Sequence, residues 1–243
     1  MNREMEYRKR EWKKYSKEYA VSHMRDLKIK GEVKVITDIL KPKKGERVLD
    51  FGCNTGELCY ILNKYFGVQT LGVDINGTAI SIAKKKFPHL EFKKITPSSL
   101  NRLKKKFDAI VMMQVIEHLK TPDEQLKTLR ELLTPKGRII VSTPNKWAYF
   151  DKVKSRVLGK RFAYDPTHFH EFSPKTLREL FEGSGFEVKR VYTRGTAIIP
   201  FTRKIFGFGW GYPNYLIGGV LFISAKKLVK KLKKSKMSNE TSE

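Results

Sequence analysis

The chain has 243 residues, 50 of them Lys or Arg and 25 Asp or Glu, for a formal charge of +25. That length can bury a sizeable core, and 40% hydrophobic with 12% aromatic residues excludes a wholly disordered chain. Two cysteines, Cys53 and Cys59, make neither a disulfide framework nor a four-ligand zinc site.

The charge is spread along the chain: 14 basic against 7 acidic residues over 1–44, 29 against 16 over 45–225, and 7 against 2 over 226–243. Lysine accounts for 36 of the 50 basic residues, which suits a solvated lysine-rich surface as well as a polyanion partner. The N-terminus, MNREMEYRKREWKK, is too charged for a signal peptide. The longest apolar stretch, 215–225, falls short of the roughly 20 residues that span a bilayer. Both point to a cytoplasmic protein, with peripheral membrane attachment as a variant.

Residues 3–30 interleave charge with Tyr7, Trp12, Tyr15 and Tyr19 and read as one or two helices, broken at Lys30-Gly31. Val33, Ile36, Ile39 and Leu40 then recur at helical spacing until Pro42 and Gly45, so 1–44 is expected to form a helical cap. Strands are expected at 47–51, 70–73, 90–95, 109–113, 138–142, 186–192 and 220–225. Helices are expected at 57–66, 78–87, 123–133 and 174–182, with a turn at Pro135-Lys136-Gly137. This alternation implies an α/β fold over 45–226: a Rossmann-like, mostly parallel seven-stranded sheet with helices on both faces. The basic tail 227–243 is expected to be disordered. The long irregular loop 145–172 follows the carboxyl end of a strand, where open α/β sheets bind ligands. It holds Trp147, Tyr149, Phe150, Phe162 and Tyr164, with six basic residues and one acidic over 146–161.

The strongest local signal is VLDFGCNTGEL at 48–58: an apolar strand, a turn with Gly52 and Gly56, then a helix. No Gly-Lys-Ser/Thr follows, which excludes a P-loop, and the spacing is not that of the dinucleotide GxGxxG. Asp50 before the first glycine would repel a pyrophosphate and suits a cationic amino-acid ligand. Asp74, at the next strand end, is placed to accept hydrogen bonds from ribose hydroxyls. Glu117 and His118 follow the fourth strand, and His168 and His170 lie in the long loop beside Glu171. Any of these imidazoles can deprotonate a hydroxyl, and with Glu117 they also offer ligand types for a divalent metal.

Together with LGVDIN (71–76), FDAIVMMQVIEHL (107–119), LLTPKGRIIVSTPN (132–145) and HFHEFSPKTLRELFEGSGFEV (168–188), the motif at 48–58 resembles the class I S-adenosylmethionine-dependent methyltransferases. Among them it is most similar to the ubiquinone-biosynthesis-type O-methyltransferases. The resemblance implies that Gly52, Asn54 and Gly56 line the methionine part of S-adenosyl-L-methionine, with Asp50 near its amino group. It also implies that Asp74 binds the ribose, Ile75 and Pro97 flank the adenine, and Gln114 flanks the methionine moiety. Asn54 replaces the usual middle glycine, and Asn enters left-handed backbone readily. Thr96-Pro97-Ser98 stands where the family often has an acid for the adenine amino group. Small-RNA 2′-O-methyltransferases carry an E-x-x-E-H metal pattern whose first acid is here Gln114, so no metal ligands are expected. Met113-Gln114-Val115 in place of Asn-Pro-Pro-aromatic argues against a DNA base N-methyltransferase.

The implied activity is methyl transfer to a small-molecule or lipid-like acceptor on oxygen. Glu117, His118, His168 and His170 are the candidate catalytic residues, and 144–172 with 196–214 would wall the acceptor pocket. An RNA acceptor, suggested by the basic aromatic loop, is the alternative. So is an anionic membrane surface met by the basic amphipathic stretch 225–234 and the aromatic-rich 201–215. The cysteines are expected to be small packing residues.

Overall fold

The structure, a computed structural model, describes residues 27–146, 167–194 and 219–228. Outside the described residues lie the helices expected before 27, most of the basic aromatic loop, the 196–214 wall and nearly all of the tail. The elements run α1 (Leu27–Leu40), β1 (Arg47–Phe51), α2 (Glu57–Phe66), β2 (Gln69–Asp74), α3 (Gly77–Lys86) and β3 (Glu91–Lys94). A 3-10 helix (Pro97–Arg102), β4 (Phe107–Met113), a 3-10 turn (Ile116–His118), α4 (Pro122–Leu132) and β5 (Leu133–Pro144) follow, then α5 (Pro174–Gly183), β6 (Phe186–Arg194) and β7 (Val220–Lys227).

The seven strands form one sheet in the order β3-β2-β1-β4-β5-β7-β6. β1 to β5 pair in parallel, and β7 lies antiparallel between β5 and β6. Parallel strands need cover on both faces, and side-chain alternation supplies it. Val48, Ala109, Val111 and Ile140 pack with Val33, Ile36 and Leu40 of α1 and with Leu58 and Leu62 of α2. Leu49, Phe51, Ile110, Met112 and Val141 pack on the opposite face with Leu126 and Leu129 of α4 and Leu177 and Phe181 of α5.

Two expectations change. α1 runs unbroken through Lys30-Gly31. A glycine inside a helix costs about 1 kcal/mol, and burial of Val33, Ile36 and Leu40 outweighs it. Residues 135–137 lie within β5, which begins at Leu133. The register jumps from Phe107–Leu133 to Ala109–Arg138, so residues 134–137 oppose Asp108 alone. This bulge holds the turn chemistry that Pro135 and Gly137 signalled without ending the strand.

Arg138 ties the end of α1 to the sheet. Its guanidinium meets both Glu46 carboxylate oxygens (2.9 and 2.8 Å), and its Nε donates to the Leu40 carbonyl at 3.0 Å. Burial pushes the Glu46 carboxyl up, but the bonds from Arg138 and the Lys43 backbone hold it below the ordinary range. The helix end is thereby clamped to the starts of β1 and β5. Among the described residues, no helix is long and apolar enough to cross a membrane.

Phe92 of β3 fills the corner beside the first crossover. A methyl placed on Gly72 would lie 2.6 Å from its ring and 2.9 Å from Cys53 Sγ, and one on Gly56 would lie 2.6 Å from the ring. Gly72→Ala is therefore expected to lower stability by about 1–3 kcal/mol, measured as a shift in the thermal or denaturant midpoint. An unshifted midpoint would show that Phe92 yields easily.

Candidate functional site

The chain leaves β1 to build β2 and β3 on one side, then returns to place β4 on the other. That makes the carboxyl ends of β1 and β4 a topological switch point, where open α/β sheets leave a crevice. The turn 52–56 sits there with Gly52, Asn54 and Gly56 at φ +85°, +47° and +86°. Glycine reaches that region without strain and Asn more easily than most residues, so Asn54 takes the left-handed place anticipated for it. Bonds to the next strand fix the turn: Gly52 N and Cys53 N both donate to the Val73 carbonyl, at 2.8 and 3.0 Å.

Asp74 ends β2. Its Oδ2 accepts from Asn54 N at 2.9 Å and its Oδ1 from Asn76 N at 2.7 Å. Burial raises its carboxyl above the ordinary range, and backbone bonds from Asn76, Asn54 and Ile75 oppose that rise. Both oxygens keep further lone pairs, so the carboxylate is oriented and still able to accept from a ligand diol. Asn76 caps α3, its side chain accepting from Thr78 N at 3.0 Å and Ala79 N at 3.4 Å.

Asp50 lies beneath the turn, 2% exposed, with the Cys59 thiol 3.4 Å from its Oδ2. Burial is the main cause of a carboxyl pKa raised from 3.8 to about 7. The Cys59 bond works against the rise, while the charges of Asp74 and Glu57 add to it. Burial, followed by the nearby Asp50, pushes both cysteine thiols well up. They are neutral, buried and free, consistent with packing residues.

Gln114 follows β4 with φ +55°; its backbone N–H donates to the Ser142 carbonyl at 3.0 Å. Its Nε2 donates to Glu32 Oε2 at 3.3 Å. Glu32, 8% exposed on α1, is a partner of the candidate residue Gln114 that the sequence reading passed over. Its signal was available: an acid four residues before Ile36, on the apolar stripe of α1. Ile75 is 45% exposed and lines, with Pro97, Ser98 and His118, a cavity of about 530 Å³.

Three of the four candidate catalytic residues come together. Glu117, His118 and His168 each offer a ligand atom within 4.8 Å of the others. The His118 and His168 rings meet edge-on with centroids 4.7 Å apart. Glu117 is 1% exposed and accepts from Thr143 Oγ1 at 3.0 Å; its carbonyl receives Phe169 N at 2.8 Å and His170 N at 3.2 Å. His118 Nδ1 lies 3.2 Å from the Thr167 carbonyl and 3.0 Å from Thr167 Oγ1. A carbonyl only accepts, so that contact favours the tautomer protonated on Nδ1, with Nε2 basic, while Thr167 Oγ1 can donate to or accept from Nδ1. His170 stands apart from this group: its Nε2 is 3.4 Å from the Lys120 carbonyl and its ring lies by Phe172. Thr143 and Thr167 were also passed over, since their roles arise only when β5 and the returning loop meet Glu117 and His118. One carboxylate with two imidazoles is a donor set that suits divalent transition metals.

Comparison with known proteins agrees with this layout. Residues 10–191 match a family model described as a methyltransferase domain. The mitochondrial ubiquinone biosynthesis O-methyltransferase of Dictyostelium discoideum is 27% identical over 221 residues, covering 83% of this chain and 66% of that protein. The ubiquinone biosynthesis O-methyltransferase of Bradyrhizobium diazoefficiens is 34% identical over 169 residues, covering 66% and 65%. The chain thus spans just under two thirds of the length of these relatives. A S-adenosylmethionine-dependent methyltransferase from Archaeoglobus fulgidus superposes with TM-score 0.58 at 24% identity, covering 82% of this chain and 94% of that one. The [4+2]-cyclase SpnF superposes at TM-score 0.61 and 19% identity, covering 81% and 80%. Both establish the fold; the second shows that the fold alone does not set the chemistry.

The raised Asp50 carboxyl has a pH signature. The folded chain keeps a proton that the unfolded chain releases between 3.8 and about 7, so stability falls as pH rises through that window and stays lower above it. Asp50→Asn is expected to match wild type below pH 4 and to gain roughly 2–4 kcal/mol above pH 7. Denaturant titrations across that range check it, and parallel curves for the two proteins would contradict it.

Proposed function

Because the chain belongs to the methyltransferase-domain family, in its class I S-adenosylmethionine-dependent form, we propose that it methylates an oxygen of a small-molecule or lipid-like acceptor. The observation that carries the reading is Asp74, held by Asn54 N and Asn76 N beside a side-chain-poor turn at the switch point. A carboxylate so oriented suits ribose hydroxyls. The left-handed backbone at Gly52, Asn54 and Gly56 would present main-chain groups to the methionine part. Asp50 contributes negative charge beneath it, which a ligand ammonium or sulfonium would favour. Ile75 and Pro97 would flank the adenine, and Gln114, braced by Glu32, would border the methionine moiety. S-adenosyl-L-methionine supplies an electrophilic methyl group on a sulfonium.

What remains for the chain is to place the acceptor oxygen in line and remove its proton. His118 is the proposed base. The Thr167 carbonyl beside Nδ1 favours the tautomer with Nε2 basic, and one ring nitrogen of His118 lies within 4.8 Å of ligand atoms of Glu117 and His168. Glu117, buried beside it, would favour the imidazolium that forms, and His168 would hold the ring edge-on. His170 would anchor the returning loop through Lys120 and Phe172. A second reading has Glu117, His118 and His168 hold a divalent cation, favoured by the closeness of their ligand atoms. Such an ion would supply positive charge beside the acceptor oxygen.

Calorimetry with S-adenosyl-L-homocysteine is expected to show binding that weakens at least tenfold in Asp74→Ala, about 1.4 kcal/mol or more; a wild-type chain that ignores the ligand would sink the cofactor assignment. A screen of phenolic and lipid-like hydroxyl acceptors with methyl-labelled cofactor tests the acceptor class. With an active acceptor in hand, His118→Ala is expected to slow transfer by about 10²–10⁴-fold. Full activity of the wild-type chain after dialysis against chelator would remove the cation reading and keep the base. Loss restored by added metal would do the reverse.

A further inference from the structure

The 530 Å³ cavity runs from Ile75 and Pro97 to the first turn of α4, and one of its lining side chains, Gln125, carries a buried polar atom with an unmade bond. Gln125 is 7% exposed, and among the described residues its Nε2 has no hydrogen-bond partner. Its neighbour along α4, Leu126, is fully buried in the apolar core. Leucine at 125 would meet no comparable desolvation, so the amide costs stability where it stands. Such a donor is accounted for by an acceptor that arrives with a ligand.

The other polar groups at this end are already engaged with one another. Thr96 Oγ1 lies 3.1 Å from Ser98 Oγ and 2.8 Å from Ser99 Oγ, and Thr96 N donates to Ser99 Oγ at 3.2 Å. They close the first turn of the 3-10 helix and offer no carboxylate of their own; the carboxylate in the lining is Glu124, next to Gln125 in the first turn of α4. The buried amide shares the cavity with Ile75 and Pro97, the two residues assigned above to the adenine.

We propose that Gln125 reads the base of the cofactor: its carboxamide N–H, swung into the cavity about the terminal side-chain torsion, donates to N1 of the adenine. On the Watson–Crick edge a carboxamide can donate to N1 and accept from the 6-amino group, the same donor–acceptor match that Gln makes on the N6/N7 edge of adenine in nucleic acids. The torsion involved is broad, so the swing meets little intrinsic resistance. This inference rests on the cofactor reading given above and adds the residue that sets base identity.

The experiment compares S-adenosyl-L-homocysteine with S-inosyl-L-homocysteine by calorimetry, in wild type, Gln125→Leu and Gln125→Glu. In inosine N1 carries a hydrogen and becomes a donor. Wild type is expected to prefer the adenosyl ligand. Gln125→Leu should weaken adenosyl binding about tenfold, leave inosyl binding unchanged, and melt no lower than wild type without ligand. Gln125→Glu, which accepts where the amide donates, should shift the preference toward the inosyl ligand. An adenosyl-to-inosyl ratio equal to wild type in both folded variants would overturn the proposal. So would a Gln125→Leu that melts lower while binding as well, since that describes a packing residue. Wild type binding neither ligand would overturn the cofactor reading itself, a result distinct from any outcome of the two variants.

Discussion

The carbonyl of Val73 and the carboxylate of Asp74 hold the site in place. Between them they receive the backbone N–H groups of Gly52, Cys53, Asn54 and Asn76. The turn after β1 is therefore built on the end of its neighbouring strand, and Asp74 also holds Asn76, the residue that caps α3. Because β1 and β2 pair residue for residue from Arg47–Gln69 to Phe51–Val73, the sheet register becomes part of the site geometry. A slip of one residue would turn Asp74 to the other face and unfasten the turn together.

The interior of the sheet was legible because parallel strands buried on both faces leave continuous apolar runs, as at 109–113, and because their helices carry caps and glycine stops. The site's glycines, Asp50 and Asp74 were legible for a related reason: local backbone demands leave local traces. What was not legible depends on long-range meetings. Nothing near Glu32 in sequence announces Gln114, 82 positions away. Nor does Thr167 announce His118, whose nitrogen it steers across 49 positions. Gly31 misled in the other direction, because a local helix breaker was overruled by burial it could not report. The turn signal at 135–137 was real, but β5 absorbed it as a bulge.

The charge of the chain is also arranged along the strands. Lysines crowd the approaches to them, at 41–44, in the last turn of α3 at 84–86 and at 104–106, while the buried acids Asp50 and Glu117 and the half-buried Asp74 gather at the opposite ends. The lysines at the strand starts are solvated and cost little. The acids are dehydrated, and Asp50 in particular is held in a state where a nearby cation would be welcome. Stability and affinity are thus linked: a cationic ligand relieves part of the strain that folding leaves at this end.

Phe92 touches both the glycine that opens α2 and the glycine in the middle of β2. Across descendants of such a chain, these three positions cannot drift independently. A smaller residue at 92, together with a shift of Cys53 Sγ, would release position 72, which has ordinary backbone geometry, to accept a side chain. Position 56 would stay glycine regardless, because its left-handed backbone constrains it as well as the ring. The corner should therefore leave an uneven evolutionary record, with 72 and 92 varying as partners and 56 fixed beside them.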